Sequence, residues 1–207
     1  MPLTRQTIRL SSSIFLHAST WESHEYYDRL VYNAVTAPLF LDPPPRGEIR
    51  TTIVGEVLPT MLNCQMNPNI AYMDDDPIDH TFTIQLRPST NPLRQLDFAR
   101  GMTNLRIVES RIQLTNHPSN LALQTHLYDT LMLRLPVVRR GQPRNVPIFN
   151  RNGTRINANN ANIILSGRDV QTTFTIRHTY SLYYLHDGQC EIETFQGRLE
   201  SIVLLPN

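Results

Sequence analysis

The chain has 207 residues, a net charge of +1 and a charged fraction of only 18%. Near-neutrality excludes a partner chosen by whole-protein electrostatics, and two cysteines, Cys64 and Cys190, are too few for a disulfide framework. The length supports a single domain, residues 1–207, with a sizeable core, and no apolar run is long enough for a transmembrane helix, so no membrane insertion is expected.

In chain order, Ile8, Leu10, Ser12, Ile14 and Leu16 alternate and predict a first strand. Arg5 and Arg9 precede a run broken by Ser11, Ser12 and Ser13, which reads as a strand rather than a secretory leader. Ser19-Thr20-Trp21-Glu22 has the form of a capping box. With Tyr27, Leu30, Val31, Ala34 and Val35 at helical spacing after it, a helix over 20–35 is predicted. Asp42-Pro43-Pro44-Pro45 is a stiff connector, and Ile49 to Val57 is a strand.

After a long loop over 63–77, Ile78, His80, Phe82, Ile84 and Leu86 form one strand face. Asn91-Pro92 and Gly101 bracket a short helix, with Asn as cap, Pro in the first turn and Gly past the end. Residues 105–114 then read as a strand with one slip of phase, hence a bulge. The leucines between Leu121 and Leu135 share one parity and favour a long strand. Asn152-Gly153 marks a hairpin pairing Phe149 with Ile156, and the Asn-rich loop 157–162 leads to a strand beginning at Ile163.

The clearest strand signal lies near the end. Phe174, Ile176, Tyr180, Leu182 and Tyr184 fall on one face, and Thr173, Thr175, Arg177, Thr179 and Ser181 on the other. A three-residue turn, His186 to Gly188, would pair Tyr184 with Cys190 and keep the returning carboxylates off the apolar face. Strands without alternating helices predict an all-β fold, a jelly-roll-like antiparallel sandwich with two short helices.

The sharpest electrostatic feature is an interval without acids. Between Asp129 and Asp169 lie Arg134, Arg139, Arg140, Arg144, Arg151, Arg155 and Arg168. Loops at one end of a sandwich would gather several of them into a patch for nucleic-acid phosphates, a sulfated or sialylated glycan, or an acidic face of a neighbouring subunit. An ordinary solvated face is the plain alternative. Single-strand binders interleave aromatics with the basic residues, and only Phe149 does so in this interval. Asp74, Asp75, Asp76 and Asp79 form the acidic counterpart, read as a turn, a subunit contact or a weak cation site without EF-hand spacing.

All nineteen basic residues are arginine, which suits faces covered by contacts and equally fits compositional bias. The seven histidines show no metal-ligand spacing, and His80 and His178 fall on inward strand faces. No nucleotide-binding or nucleophile motif is present, so neither a cofactor, a metal nor an enzymatic activity is expected.

Strand number, long Pro/Asn/Thr loops, low charge and a helix after the first strand resemble viral single jelly-roll coat and other virion proteins. The resemblance implies a structural virion protein, a capsid, minor capsid or cementing subunit. Such a protein is made in the host cytoplasm and assembles with copies of itself or other virion proteins. The N-terminus lacks a basic arm, so genome contact would fall to the Arg134–Arg168 segment or to another protein. The alternative is a β-sandwich recognition module binding a glycan or protein receptor through end loops.

Overall fold

The computed structural model describes residues 6–41, 46–58, 81–115, 119, 121–124, 129–136, 138–139, 142–143, 147–157, 161–185 and 188–206. In chain order the elements are β1 (Ile8–Arg9), α1 (Ser13–Ala18), β2 (Ser19–Ser23), β3 (Asp28–Tyr32), a 3-10 turn (Ala37–Leu39), β4 (Thr51–Val57), β5 (Thr81–Arg87), α2 (Pro92–Glu109), β6 (Ala122–Gln124), β7 (Asp129–Pro136), β8 (Val138–Arg139), β9 (Gln142–Pro143), β10 (Ile148–Phe149), α3 (Ala161–Leu165), β11 (Asp169–Leu185) and β12 (Gly188–Leu204). The chain is mostly β-strand with few helices, as expected of an all-β fold.

The jelly-roll expectation is corrected by the strand pairing. β4 pairs antiparallel with β5, β5 with β7, β7 runs parallel to β12, β12 pairs with β11, and β11 returns to β4. The sheet therefore closes on itself as a five-stranded barrel, where a sandwich would need two separate sheets. β3 and β2 extend it beyond β11, and β1 lies parallel beside β4. Alternation supplies the filling: Phe82, Ile84 and Leu86 of β5, Leu131, Leu133 and Leu135 of β7, Phe174 and Ile176 of β11, and Phe195 and Leu199 of β12 are all buried.

Two N-terminal expectations also change. Residues 13–18 are helical because Ser12 caps them, accepting from Ile14 N at 3.2 Å, and Phe15 and Ala18 then share the buried face. Residues 19–32 form the β2–β3 hairpin rather than a helix. Glu22, read as a capping carboxylate, instead meets Arg29 across the hairpin at 2.7 Å, and Trp21 Nε1 donates to Val108 O at 2.9 Å.

α2 starts where predicted, with Asn91 Oδ1 accepting from Leu93 N and Arg94 N at 3.1 and 3.4 Å. It does not stop at Gly101, and the bulged strand expected over 105–114 is the continuing helix and the turn after it. Phe98, Met102, Leu105 and Val108 follow one another on a single buried helical face. Gly101 is a packing glycine: a Cβ there would sit 3.1 Å from Ile53 Cδ1. The strand expected at Ile163 is likewise replaced by α3, and β11 starts at Asp169. The run from Leu121 to Leu135 divides into β6 and β7, which pair antiparallel. The Asn152-Gly153 turn is present, with Gly153 at φ 78° and its N–H donating to Asn150 O at 3.0 Å; Phe149 bridges to Arg155 rather than Ile156.

Gly55 shows how closely α2 is seated. A Cβ at this position would lie 2.9 Å from Phe98 Cε2 and 3.0 Å from the Arg87 carbonyl oxygen. The ring is fully buried and the carbonyl belongs to the sheet, so neither yields easily. Gly55→Ala is expected to destabilise by about 1–2 kcal/mol through overpacking. A urea titration would read this as a lower midpoint at unchanged slope; an unchanged midpoint would show that α2 is loosely docked.

The β11–β12 register differs from the sequence expectation by one residue. Tyr184 pairs with Gln189, Leu182 with Glu191 and Tyr180 with Glu193, and Gly188 opens the returning strand opposite Leu185. This places Phe195 against His178 inside and leaves Ile192 exposed. Two physical reasons remove the objection to inward carboxylates. Glu193 is hydrogen-bonded there, and the distal hairpin extends beyond the core, where Tyr180 and Leu182 are themselves exposed.

Candidate nucleic-acid interface

Barrel closure brings arginines from four strands onto one outer face. Arg134 of β7 alternates with buried Leu133 and Leu135, and Arg198 of β12 with Gly197 and Leu199, so both point outward. Register sets Thr83 opposite Arg134, Arg134 opposite Arg198, and Arg198 opposite Thr175. In the adjacent row Gln196 lies opposite Arg177, and Arg177 opposite Arg29. Arg29, Arg134, Arg177 and Arg198 therefore form a band across β3, β11, β12 and β7.

The band also carries an aromatic ring. The Arg177 guanidinium lies over the Tyr27 ring, 4.2 Å from its centre, and His24 stacks on Tyr27 at 4.9 Å. Glu48 holds Arg177, Glu22 holds Arg29, and Glu200 pairs with Arg50 at the edge of the band. Arg134 is exposed, meets only the Met132 sulfur at 3.4 Å, and has no salt bridge among the described residues. Elsewhere Arg87, Arg94 and Arg106 each have a carboxylate of their own, Glu56, Asp169 and Asp129.

Beside Arg198 the face sinks into a groove of about 460 Å³. Pro147 and the strand segments at Leu135, Thr175 and Leu199 line it, and Glu48, Arg50, Arg198 and Glu200 give it a charged rim.

Of the sequence-predicted arginines, Arg134 lies in this band. Arg151 and Arg155 are exposed in the turn after β10, and Arg168 precedes β11, at the opposite end of that strand from the hairpin tip. Arg139 falls in the short strand β8. Arg140, Arg144 and the acidic set Asp74, Asp75, Asp76 and Asp79 lie outside the described residues, as do His80 and Cys64. Sequence reading had placed Arg177 on a polar strand face but missed Tyr27, Arg29 and Arg198, which join the band only through the folded sheet.

His178 is buried, as its inward parity predicted, and each ring nitrogen faces a carboxylate: Nδ1 to Asp28 Oδ2 at 2.9 Å and Nε2 to Glu193 Oε1 at 2.8 Å. Burial alone would raise the Glu193 carboxyl, but hydrogen bonds from Thr115, Leu114 N and His178 outweigh it and hold the group at about 2. Among the described residues no group of three His, Cys, Asp or Glu side chains is arranged to hold a metal ion, and no helix is long and apolar enough to cross a membrane.

Taken in chain order, the barrel strands β4, β5, β7, β11 and β12 close in the order first, second, third, fifth, fourth. This is the connectivity of an OB-type barrel. No protein-family model and no curated protein matches the chain. Solved structures do resemble it. One is gp2.5, a single-stranded DNA binding protein encoded by bacteriophage T7: TM-score 0.43, 11% identity, covering 75% of this chain and 91% of that one. Another is the C-terminally truncated single-stranded DNA-binding protein from bacteriophage Enc34: TM-score 0.43, 10% identity, covering 91% and 95%. The same Enc34 protein in complex with single-stranded DNA gives 0.42, 10%, 90% and 93%.

The virion reading is thereby corrected. It rested on strand number, loop composition, low charge and a helix after the first strand, and the jelly roll it implied is instead a closed barrel. The solved structures reported above are single-stranded DNA-binding proteins, not coat proteins.

Proposed function

We propose that this chain is a binding protein for single-stranded nucleic acid, which it holds across the outer face of the barrel. The observation that carries the reading is the band of Arg29, Arg134, Arg177 and Arg198 with Tyr27 set among them. Single-strand sites combine guanidinium or ammonium groups that follow the phosphates with aromatic rings on which bases stack. OB-type barrels support both on one curved face. A strand crossing the band would exchange hydrated phosphates for forked arginine contacts, and its bases would reach the exposed His24 ring that tops the His24–Tyr27–Arg177 stack and the groove beside Arg198.

Salt dependence tests the reading. With about four phosphates neutralised, log affinity should fall with log salt at a slope near −3, so a fourfold rise in salt costs roughly fiftyfold. Fluorescence anisotropy with a labelled single-stranded DNA should show this, and Arg134→Ala should flatten the slope by about 0.7. Absence of binding, or binding indifferent to salt, would overturn the proposal.

A further inference from the structure

The groove of the proposed single-strand face carries features that phosphate binding does not use. A site for phosphate alone would be basic, yet Glu48 and Glu200 stand on this rim among the arginines. Pro147 and the strand segments at Leu135 and Leu199 also line it, so part of its surface is apolar, which suits the face of a base and not a phosphate. Its volume of about 460 Å³ lies within the roughly 300–1,000 Å³ of small-ligand sites. Arg50 Nε is buried and has no acceptor among the described residues, although the same guanidinium pairs with Glu200 through Nη2. Both side chains remain partly exposed, so their other polar atoms can meet a ligand at the rim.

We propose that this groove receives one unstacked base of the bound strand and prefers bases with an exocyclic amino group, cytosine, adenine or guanine, over thymine or uracil. The inference rests on the proposed single-strand function. The edge of each amino base sets N–H donors beside a ring nitrogen or carbonyl acceptor. A carboxylate accepts from the amino group, and a guanidinium donates to the acceptor next to it. Glu200 and Arg50 offer this pair side by side, with Glu48 and Arg198 across the rim. Thymine and uracil present two carbonyls flanking a single N–H, so docking either one turns at least one carbonyl oxygen toward a carboxylate. That repulsion, added to a lost donor, is what discriminates.

The test measures anisotropy of labelled oligothymidine against the same oligonucleotide with its central residue replaced by dC, dA or dG. The wild-type protein is expected to bind the replaced strands roughly fivefold or more tightly. Glu200→Gln should collapse this preference by strengthening oligothymidine binding, because the amide removes a negative charge and offers a donor to the thymine carbonyls. Glu48→Gln should weaken the preference in the same direction, and thermal melting monitored by circular dichroism verifies that each variant is folded. Equal affinity of wild type for all four strands would overturn the base groove and leave the single-strand face standing. A preference that persists in both folded variants would overturn the assignment to these carboxylates. Failure of every strand to bind would instead overturn the underlying reading of the face.

Discussion

His178→Ala is expected to destabilise the protein by about 3–5 kcal/mol, from the cavity it leaves and the buried hydrogen bonds to carboxylates that it removes. The residue stands where four parts of the chain meet. Asp28 comes from β3, Glu193 from β12, the ring itself from β11, and Glu193 also accepts from Leu114 N at 2.7 Å and Thr115 N at 2.8 Å, just after α2. Phe195 packs on the imidazole with ring centres 4.8 Å apart, and Trp21 meets it edge-on at 6.2 Å. Alanine would leave a hole beneath both aromatics and remove one of the donors that keep the buried Glu193 ionised.

The pH dependence separates this electrostatic part from lost packing. Glu193 titrates in the fold at about 2, below its ordinary 4.5, so its contribution is fully present above pH 4.5 and is lost as pH falls toward 2. Without His178 the folded value moves back up and the acid-side loss shrinks. The gap between wild type and variant, read from denaturant midpoints, should therefore be larger at pH 7 than at pH 2. A gap independent of pH would assign the whole effect to the cavity. His178→Gln, which retains a donor for only one of the two carboxylates, should fall between the two proteins.

The same residue shows where sequence reading succeeds and where it stops. Strict alternation through Phe174, Ile176 and His178 placed the ring inside, because period 2 is a local property of one strand. The partner register is not local. The rule that keeps carboxylates off an apolar face chose a pairing one residue out, because nothing in the strand indicates that His178 and the 114–115 backbone will solvate Glu193. Gly101 was misread for a related reason: a glycine ending a helix and one seated against Ile53 are the same letter. In the 19–35 stretch, Tyr27, Leu30 and Val31 satisfy helical spacing, and the cross-strand pair Glu22–Arg29 that decides for a hairpin looks like a cap and an ordinary surface charge. The arginine band was legible only at Arg134. Its other members lie on β3, β11 and β12, and they become neighbours only when the sheet closes.

A second buried carboxylate should act with the opposite sign. Glu109 closes α2, is 3% exposed, and accepts from Ser119 Oγ at 2.7 Å. Burial pushes its carboxyl up to about 7, and the Ser119 hydrogen bond and the Arg106 charge offset this only in part. Arg106 is weakly placed to help, because its guanidinium already pairs with Asp129. The end of a helix, where carbonyls gather, also disfavours a negative charge.

The folded value is raised above 4.5, so the fold holds this proton more tightly than the unfolded chain does. Stability is therefore greatest below pH 4.5 as far as this group is concerned, and falls by about 3 kcal/mol as pH rises through 7. Glu109→Gln replaces the ionising group with a neutral one of the same shape that can still accept from Ser119. The variant should match wild type near pH 4 and exceed it by about 3 kcal/mol at pH 8.5. Equilibrium urea unfolding at the two pH values measures both differences, and Glu193 cancels because both proteins carry it. A variant less stable than wild type at pH 8.5 would mean that the carboxylate is held charged by contacts stronger than Ser119 and Arg106.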